Sequence, residues 1–401
     1  LRSRTRELGA AETALLQELV RAGAEGGGSE PGTGHRSIDW ACFLDASERH
    51  HLTPLVFEGM RSRSESLPAA PEEIRERIEN ARNLELAKSV VRLHHVDELG
   101  AAALRAGMDL YLLKGAALAT ALYRDPGLRP MSDVDVLVEP SQFDLWSREL
   151  ETLGYVTVDA SDHATCFRRR TTGVLVELHR QLTSGAEFLG VETGAILERS
   201  RPIDAASAPR LRTLSWEDHL VHLCLHASFQ HGFRQPGVNA WDARSLAERP
   251  DFDPEEFVER ARRKRLAPWV YGGLAMTAAV FGTPRILSLL SHLRDSVPRS
   301  VVRKALRFRA ERLLSPAREA VFGLPTARLA WAGWNLTTPL LLREISRPRT
   351  TGIHRDPRTR LGRIVELIHR QGIAMFSSTS DAAPALSMGP TSASLGEVRD
   401  V

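Results

Sequence analysis

Apolar residues recur at helical spacing toward both ends of the chain and at strand spacing in its middle. Between Glu7 and Ala24, Leu8, Leu15, Leu16, Leu19 and Val20 mark one face of a helix. Helices are also expected at Ile38–His50, Pro54–Arg63 and Pro71–Ala106. The last presents Leu84, Leu86, Val90, Val91, Leu93, Val96 and Leu99 as its apolar face. The period changes at Gly107. Leu110–Leu113 reads as a short strand and Ala116–Tyr123 as a small-residue helix, and Asp125-Pro126-Gly127 has turn composition. Val134, Val136 and Val138 then alternate with Asp133 and Asp135, the period-two signature of a strand that Glu139-Pro140-Ser141 ends. A helix to Leu153 and a strand from Gly154-Tyr155 follow. Cys166–Arg170 and Val174–His179 flank Thr171-Thr172-Gly173 as a hairpin.

Helical spacing resumes at Trp216–Gln230, Asn239–Glu248, Asp253–Arg265 and Pro268–Phe281, then in basic segments at Arg299–Leu314 and Arg318–Arg343. From about Ser377 the chain is rich in Ser, Ala, Pro and Gly and reads as a disordered tail. The pattern is α+β and mostly helical. A helical region at 1–106 leads into an α/β core at 107–200. A helical region at 201–345 follows, then a basic segment and tail at 346–401.

Composition narrows this picture only slightly. The 401 residues are 42% hydrophobic and 26% charged, ordinary for a globular protein. A net charge of +3 makes no case for nucleic acid by itself. Cys42, Cys166 and Cys224 are widely spaced without a Cys-x-x-Cys pair, so no disulfide framework is expected. Leu1–Glu12 carries charges and no apolar run, so the expected location is the reducing cytoplasm. The longest uncharged stretch, Leu266–Pro284, is short and broken by Pro and Gly, and reads as a buried helix rather than a membrane span.

The candidate chemistry lies in the middle segment. Residues two apart on a strand share a face, so Asp133 and Asp135 project side by side from apolar surroundings. That is costly unless a cation sits between them, and Mg²⁺ takes such oxygen ligands together with substrate phosphates. Glu177 is a third acid in an apolar strand, on the same face as His179. Three carboxylates on neighbouring strands could hold one or two metal ions. Of only four lysines, Lys114 stands directly before Gly115.

Lys114-Gly115, the run from Arg129 to Val138 and Val176-Glu177-Leu178-His179 together resemble the DNA polymerase β-type nucleotidyltransferase superfamily. Within it they are similar to the bacterial family of uncharacterised nucleotidyltransferases. The resemblance implies a small polymerase β-like core, with Asp133, Asp135 and Glu177 as catalytic ligands of Mg²⁺ or Mn²⁺. It implies that Glu177 positions or deprotonates the attacking hydroxyl. It places Lys114, Gly115, Arg129 and Ser132 at a nucleoside triphosphate, with Gly115 allowing close backbone approach to the phosphates. Two departures stand out. Ala116 occupies the place of a second Gly or Ser, and an Arg124–Arg129 turn lengthens the gap to Asp133.

The implied reaction moves a nucleoside monophosphate from an NTP to a hydroxyl on a small molecule, a peptide or protein, or a tRNA, releasing pyrophosphate. The alternative is an inactive nucleotide-sensing or RNA-binding module of the same fold. No membrane partner is expected. His219, His222, His226 and His231 suggest zinc less well than a helix packed against the core, because no Glu follows the first His of the His222/His226 pair. His179 reads equally as a packed residue or a group supporting the site, and Asp242 as a first-turn acid. Arg168, Arg169 and Arg170 beside the hairpin read as a solvated face rather than a substrate clamp, and the Arg-rich helices after Arg299 as solvated or partner-facing surface rather than a nucleic-acid site.

Overall fold

The computed structural model describes residues 8–26, 38–62, 70–203, 209–234, 236–263 and 265–315. The expected helix at Arg318–Arg343, the segment 346–401 and the tail lie outside them. Three helices open the described chain: α1 (Ala10–Glu25), α2 (Trp40–Arg49) and α3 (Thr53–Ser62). Asp39 caps α2 by accepting a hydrogen bond from the Cys42 N–H. The long α4 (Glu72–Ala106) then runs to Gly107, whose φ of 65° lets its N–H return to the last helical carbonyls.

The sheet follows. Its elements are β1 (Leu110–Leu112), α5 (Lys114–Leu122), β2 (Val134–Leu137), α6 (Phe143–Thr152), β3 (Tyr155–Ala160), β4 (Ala164–Arg169) and β5 (Leu175–His179). Short helices α7 (Ala186–Leu189) and α8 (Thr193–Glu198) lead to β6 (Arg201–Pro202) and β7 (Leu211–Thr213). The seven strands form one mixed sheet in the order β3-β4-β5-β2-β1-β7-β6. β2 runs parallel to β5 and β1 parallel to β7, while β1 and β2 are antiparallel.

The period-two pattern sorts the sheet into two faces. Leu110, Leu112, Val134, Val136, Val176 and Leu178 share a core with Val96 and Leu99 of α4 and Trp146 of α6. Leu113 and Leu137 belong instead to the core of the helical regions. Asp135, Glu177 and His179 alternate with the first set and project on this second face.

The C-terminal helices are α9 (Trp216–Leu225), α10 (Gly237–Ala247), α11 (Pro254–Ala261), α12 (Ala267–Phe281), α13 (Pro284–Leu293), α14 (Arg299–Ala305) and α15 (Ala310–Leu313). Ser215, Asp253 and Thr283 cap α9, α11 and α13 through their side chains. After Leu225 the helix widens into a π-turn over His226–Gln230. The apolar α12 is almost entirely buried against α9 and α10. Among the described residues no helix is long and apolar enough to cross a membrane.

Three expectations change. Lys114 and Gly115 form the first turn of α5, which therefore starts two residues before the expected Ala116. The sheet gains β6 and β7 from beyond residue 200, where only helices were expected. On α4, Val96 and Leu99 are buried, but Leu84, Val90 and Val91 are exposed. At 35 residues α4 is roughly 50 Å long, and only its C-terminal part lies over the sheet.

α12 approaches α9 closely at Gly273. A Cβ there would lie 2.5 Å from Cys224 Cα and 2.8 Å from its carbonyl oxygen, both backbone atoms that cannot rotate away. Gly273→Ala should therefore displace α12 and lower stability by about 1–3 kcal/mol. A reduced urea midpoint is expected; an unchanged midpoint would contradict this packing.

Candidate active site

The strand register brings the acids together. Asp135 on β2 pairs with Glu177 on β5, and Leu137 with His179. Carboxylate oxygens of Asp135 and Glu177 and a ring nitrogen of His179 lie within 4.8 Å of one another. His179 Nε2 is 3.1 Å from both Asp135 Oδ1 and Glu177 Oε2. The Lys114 ammonium donates to Asp135 Oδ1 at 2.7 Å and lies 3.9 Å from Glu177 Oε2. The site is graded in depth: the side chains of Asp135, Lys114 and Glu177 are 5%, 13% and 30% exposed.

These contacts fix the charges. Burial alone would raise the Asp135 carboxyl. Lys114 and the His179 hydrogen bond outweigh it and hold Asp135 well below the usual carboxylate range. Burial likewise opposes charge on Lys114, but Asp135 and Glu177 hold its ammonium above the ordinary lysine value. His179 is raised against burial by its bonds to Asp135 and Glu177. Asp133 behaves oppositely. Half-buried beside β2, it accepts a 2.9 Å bond from Ser132 Oγ, yet burial and the Asp135 charge push it up to about 6.

The start of α5 is strained and anchored. Lys114 has a left-handed φ of 43°, unfavourable for a residue with a Cβ. Its N–H donates to His219 Nε2 at 3.1 Å. A nitrogen that accepts carries no proton, and burial pushes His219 down to about 3, so this imidazole is neutral. Its other nitrogen faces Thr213 Oγ1, which donates to the Leu112 carbonyl. Strand β7 and helix α9 thus jointly hold the Lys114 backbone. Gly115 has a steric role: a Cβ there would lie 2.7 Å from Met131 Cγ and 3.1 Å from an Arg129 nitrogen.

Arg129 lies beneath that turn, not toward an open phosphate position. Its Nη2 and Nε donate to Asp242 Oδ2 at 2.7 and 3.0 Å. Nη2 also reaches Asn239 Oδ1 at 3.0 Å, and Nη1 bonds the Pro130 carbonyl. Asp242 is fully buried and accepts from the Tyr123 hydroxyl at 2.6 Å. The expected phosphate cation is therefore committed to joining the lengthened turn to α10. That turn is itself seated on α4, since a Cβ on Gly127 would strike Leu86.

One further group, Arg92, has no counterpart in the sequence reading. Arg92 of α4 donates from Nη2 to the Ser132 carbonyl at 3.2 Å, while its shielded Nε and Nη1 have no partner among the described residues. His219 and His222 of α9 and His226 of the π-turn form a row, and both nitrogens of His222 are buried without a partner among the described residues. The spacing of the row is visible in sequence; its contact with Lys114, 105 positions away, is not. Elsewhere, Arg169 pairs with Glu98, whereas Arg168 and Arg170 face solvent.

Residues 36–282 match the model of a family described as uncharacterised nucleotidyltransferase. A search of curated protein sequences returned no match. Among solved structures the chain is similar to ANT(2")-Ia in complex with adenylyl-2"-tobramycin, at 16% identity and TM-score 0.34, over 45% of this chain and 97% of that one. The solution structure of the antibiotic-resistance factor ANT(2'')-Ia is similar at 13% identity and TM-score 0.33, over 54% and 96%. An antigenic nucleotidyltransferase-like protein from Paracoccidioides brasiliensis is similar at 17% identity and TM-score 0.32, over 55% and 94%.

Two outcomes follow from the charges. Arg129→Leu leaves Asp242 buried without its cation and should cost about 3–5 kcal/mol in denaturant unfolding; a loss within error of zero would contradict the pairing. For Asp133, the folded pKa of about 6 exceeds the unfolded value, so the folded state holds a proton that the unfolded chain has lost. Stability in chelator should fall as pH rises from about 4 to about 6. Asp133→Asn should remove that slope and melt higher than wild type at pH 7.5, by an amount on the order of 1–3 kcal/mol. Equal or lower stability of the variant at pH 7.5 would contradict the assignment.

Proposed function

We propose that this chain, which belongs to the family of uncharacterised nucleotidyltransferases, moves a nucleoside monophosphate from an NTP to a hydroxyl acceptor and releases pyrophosphate. The observation that carries this reading is the convergence of Asp135, Glu177 and His179 beside Lys114, at the first turn of α5. The donor set suits a hard divalent cation. Its carboxylates are the ligand type that Mg²⁺ and Mn²⁺ prefer, and the site already attracts a positive charge in Lys114. Asp133, Asp135 and Glu177 would hold the ion, with Asp133 losing its proton as the ion binds. When bound, such an ion neutralises phosphoryl oxygens and lowers the barrier to displacement.

The residues of the chain do the remaining work. The N–H groups of Gly115 and Ala116 in the first turn of α5 would receive the phosphates, with the Lys114 ammonium as the nearby cation. Arg92 supplies a second cation near Ser132, the part expected of Arg129. The acceptor oxygen bonds the α-phosphorus as the bond to pyrophosphate breaks. Glu177, the most open of the paired acids, takes the hydroxyl proton, and His179 keeps its carboxylate oriented. His219 of α9 holds the Lys114 backbone with a neutral ring.

The test supplies each of the four NTPs with Mg²⁺ and pools of small metabolites, peptides or tRNA. Pyrophosphate release and acceptor mass gain are followed together. A gain equal to one nucleoside monophosphate is expected, reduced on the order of 10²-fold or more in Asp135→Asn. A gain that persists in Asp135→Asn would sink the site assignment. Nucleotide binding without pyrophosphate release under every acceptor would favour a sensing module instead.

A further inference from the structure

We propose that Lys114 holds the place of the metal in the unloaded protein, surrenders it when a divalent cation enters, and moves to the nucleotide phosphates. The proposal rests on the metal-dependent reading above and deepens it. The Lys114 ammonium touches Asp135 Oδ1 at 2.7 Å and lies 3.9 Å from Glu177 Oε2, sharing the oxygens that would ligate the ion. A monovalent and a divalent cation cannot both contact the same carboxylate oxygen without strong repulsion in so shielded a site. One must leave, and the lysine is the one on a flexible stem.

The surroundings are built for such a departure. An ammonium has three donors, and among the described residues only Asp135 receives one at bonding distance. Glu177 is open to solvent, so this is not a sealed structural ion pair. The Lys114 backbone is anchored independently, by the bond from its N–H to His219 and by the first turn of α5, so the side chain can swing while its root stays fixed. The root lies at the N-terminus of a nine-residue helix, where backbone N–H groups favour an anion. A triphosphate seated there offers the released ammonium a new partner. Lys114 therefore neutralises Asp135 and Glu177 before the ion arrives and the phosphates afterwards.

The consequence is a pair of opposite signs. Lys114→Met should bind Mn²⁺ alone more tightly than wild type, by roughly tenfold or more, because a competing cation is gone. It should bind the α,β-methylene NTP analogues at saturating Mn²⁺ more weakly, because a phosphate contact is gone. Lys114→Arg, which keeps the charge, should stay near wild type in Mn²⁺ affinity. A lysine with a purely structural role would not raise metal affinity on removal. Free Mn²⁺ is counted by electron paramagnetic resonance on the full chain, with Asp135→Asn as the reference.

Wild type supplies a second measurement that needs no Lys114 variant to fold. The chain has only four lysines, so acetylation by an N-hydroxysuccinimide ester can be followed at Lys114 by peptide mass spectrometry. Lys114 should be protected in chelator, exposed by Mn²⁺ alone, and protected again when an NTP analogue is added. Lys114→Met with unchanged or weaker Mn²⁺ affinity, or a wild-type Lys114 whose acetylation ignores Mn²⁺, overturns the proposal. If Asp135→Asn loses Mn²⁺ while either of those results is seen, only the Lys114 proposal fails. If Asp135→Asn binds Mn²⁺ as wild type does, the metal site itself fails.

Discussion

Asp135 and Glu177 are register partners on adjacent parallel strands, and the site is organised around the repulsion this creates. Two carboxylates at paired positions on one face of a sheet are unfavourable wherever water is scarce. In the unloaded protein Lys114 and His179 offset them, both reaching Asp135 directly. Asp133 has no such cation at contact among the described residues, and burial with the Asp135 charge makes it hold its proton more tightly. The same crowding of negative charge that must be offset at rest is what a divalent ion and a triphosphate would exploit.

A second buried charge joins the α/β core to the helices after it. Arg129 and Asp242 pair where both are shielded, with Tyr123 and Asn239 satisfying the remaining groups. Removing either partner would strand the other as a buried, uncompensated charge. With the bond between His219 and the Lys114 N–H, it sets where α9 and α10 lie relative to the start of α5. The lengthened turn between Gly115 and Asp133 is thus the segment that carries Arg129 to its partner.

Much of this was legible in the sequence because it is local. Alternation of Val134, Val136 and Val138 with the aspartates fixes which face the acids take, and the β4–β5 hairpin around Thr171–Gly173 returns Glu177 to that face. What was not legible depends on residues far apart. The partner of Arg129 lies 113 positions away, so the side chain read as a phosphate ligand from its motif. Strand β7 is three residues long with a central Arg, too short for a period, and becomes a strand only by pairing with β1. Helical spacing marked Leu84, Val90 and Val91 as core, but spacing carries no information on whether anything lies opposite. The strained φ of Lys114 is invisible at a position where residue type argues for no special backbone.

On the proposed function, these carboxylates receive a metal and a nucleotide together. A crystal structure of the chain with Mn²⁺ and a non-hydrolysable NTP analogue tests it most directly. The expected result is an anomalous scattering peak ligated by Asp135 and Glu177, the phosphates at the first turn of α5, and the Lys114 ammonium moved from Asp135 to a phosphate oxygen. A nucleotide bound elsewhere, or phosphates at α5 with Lys114 still on Asp135 and no metal at the acids, would contradict it.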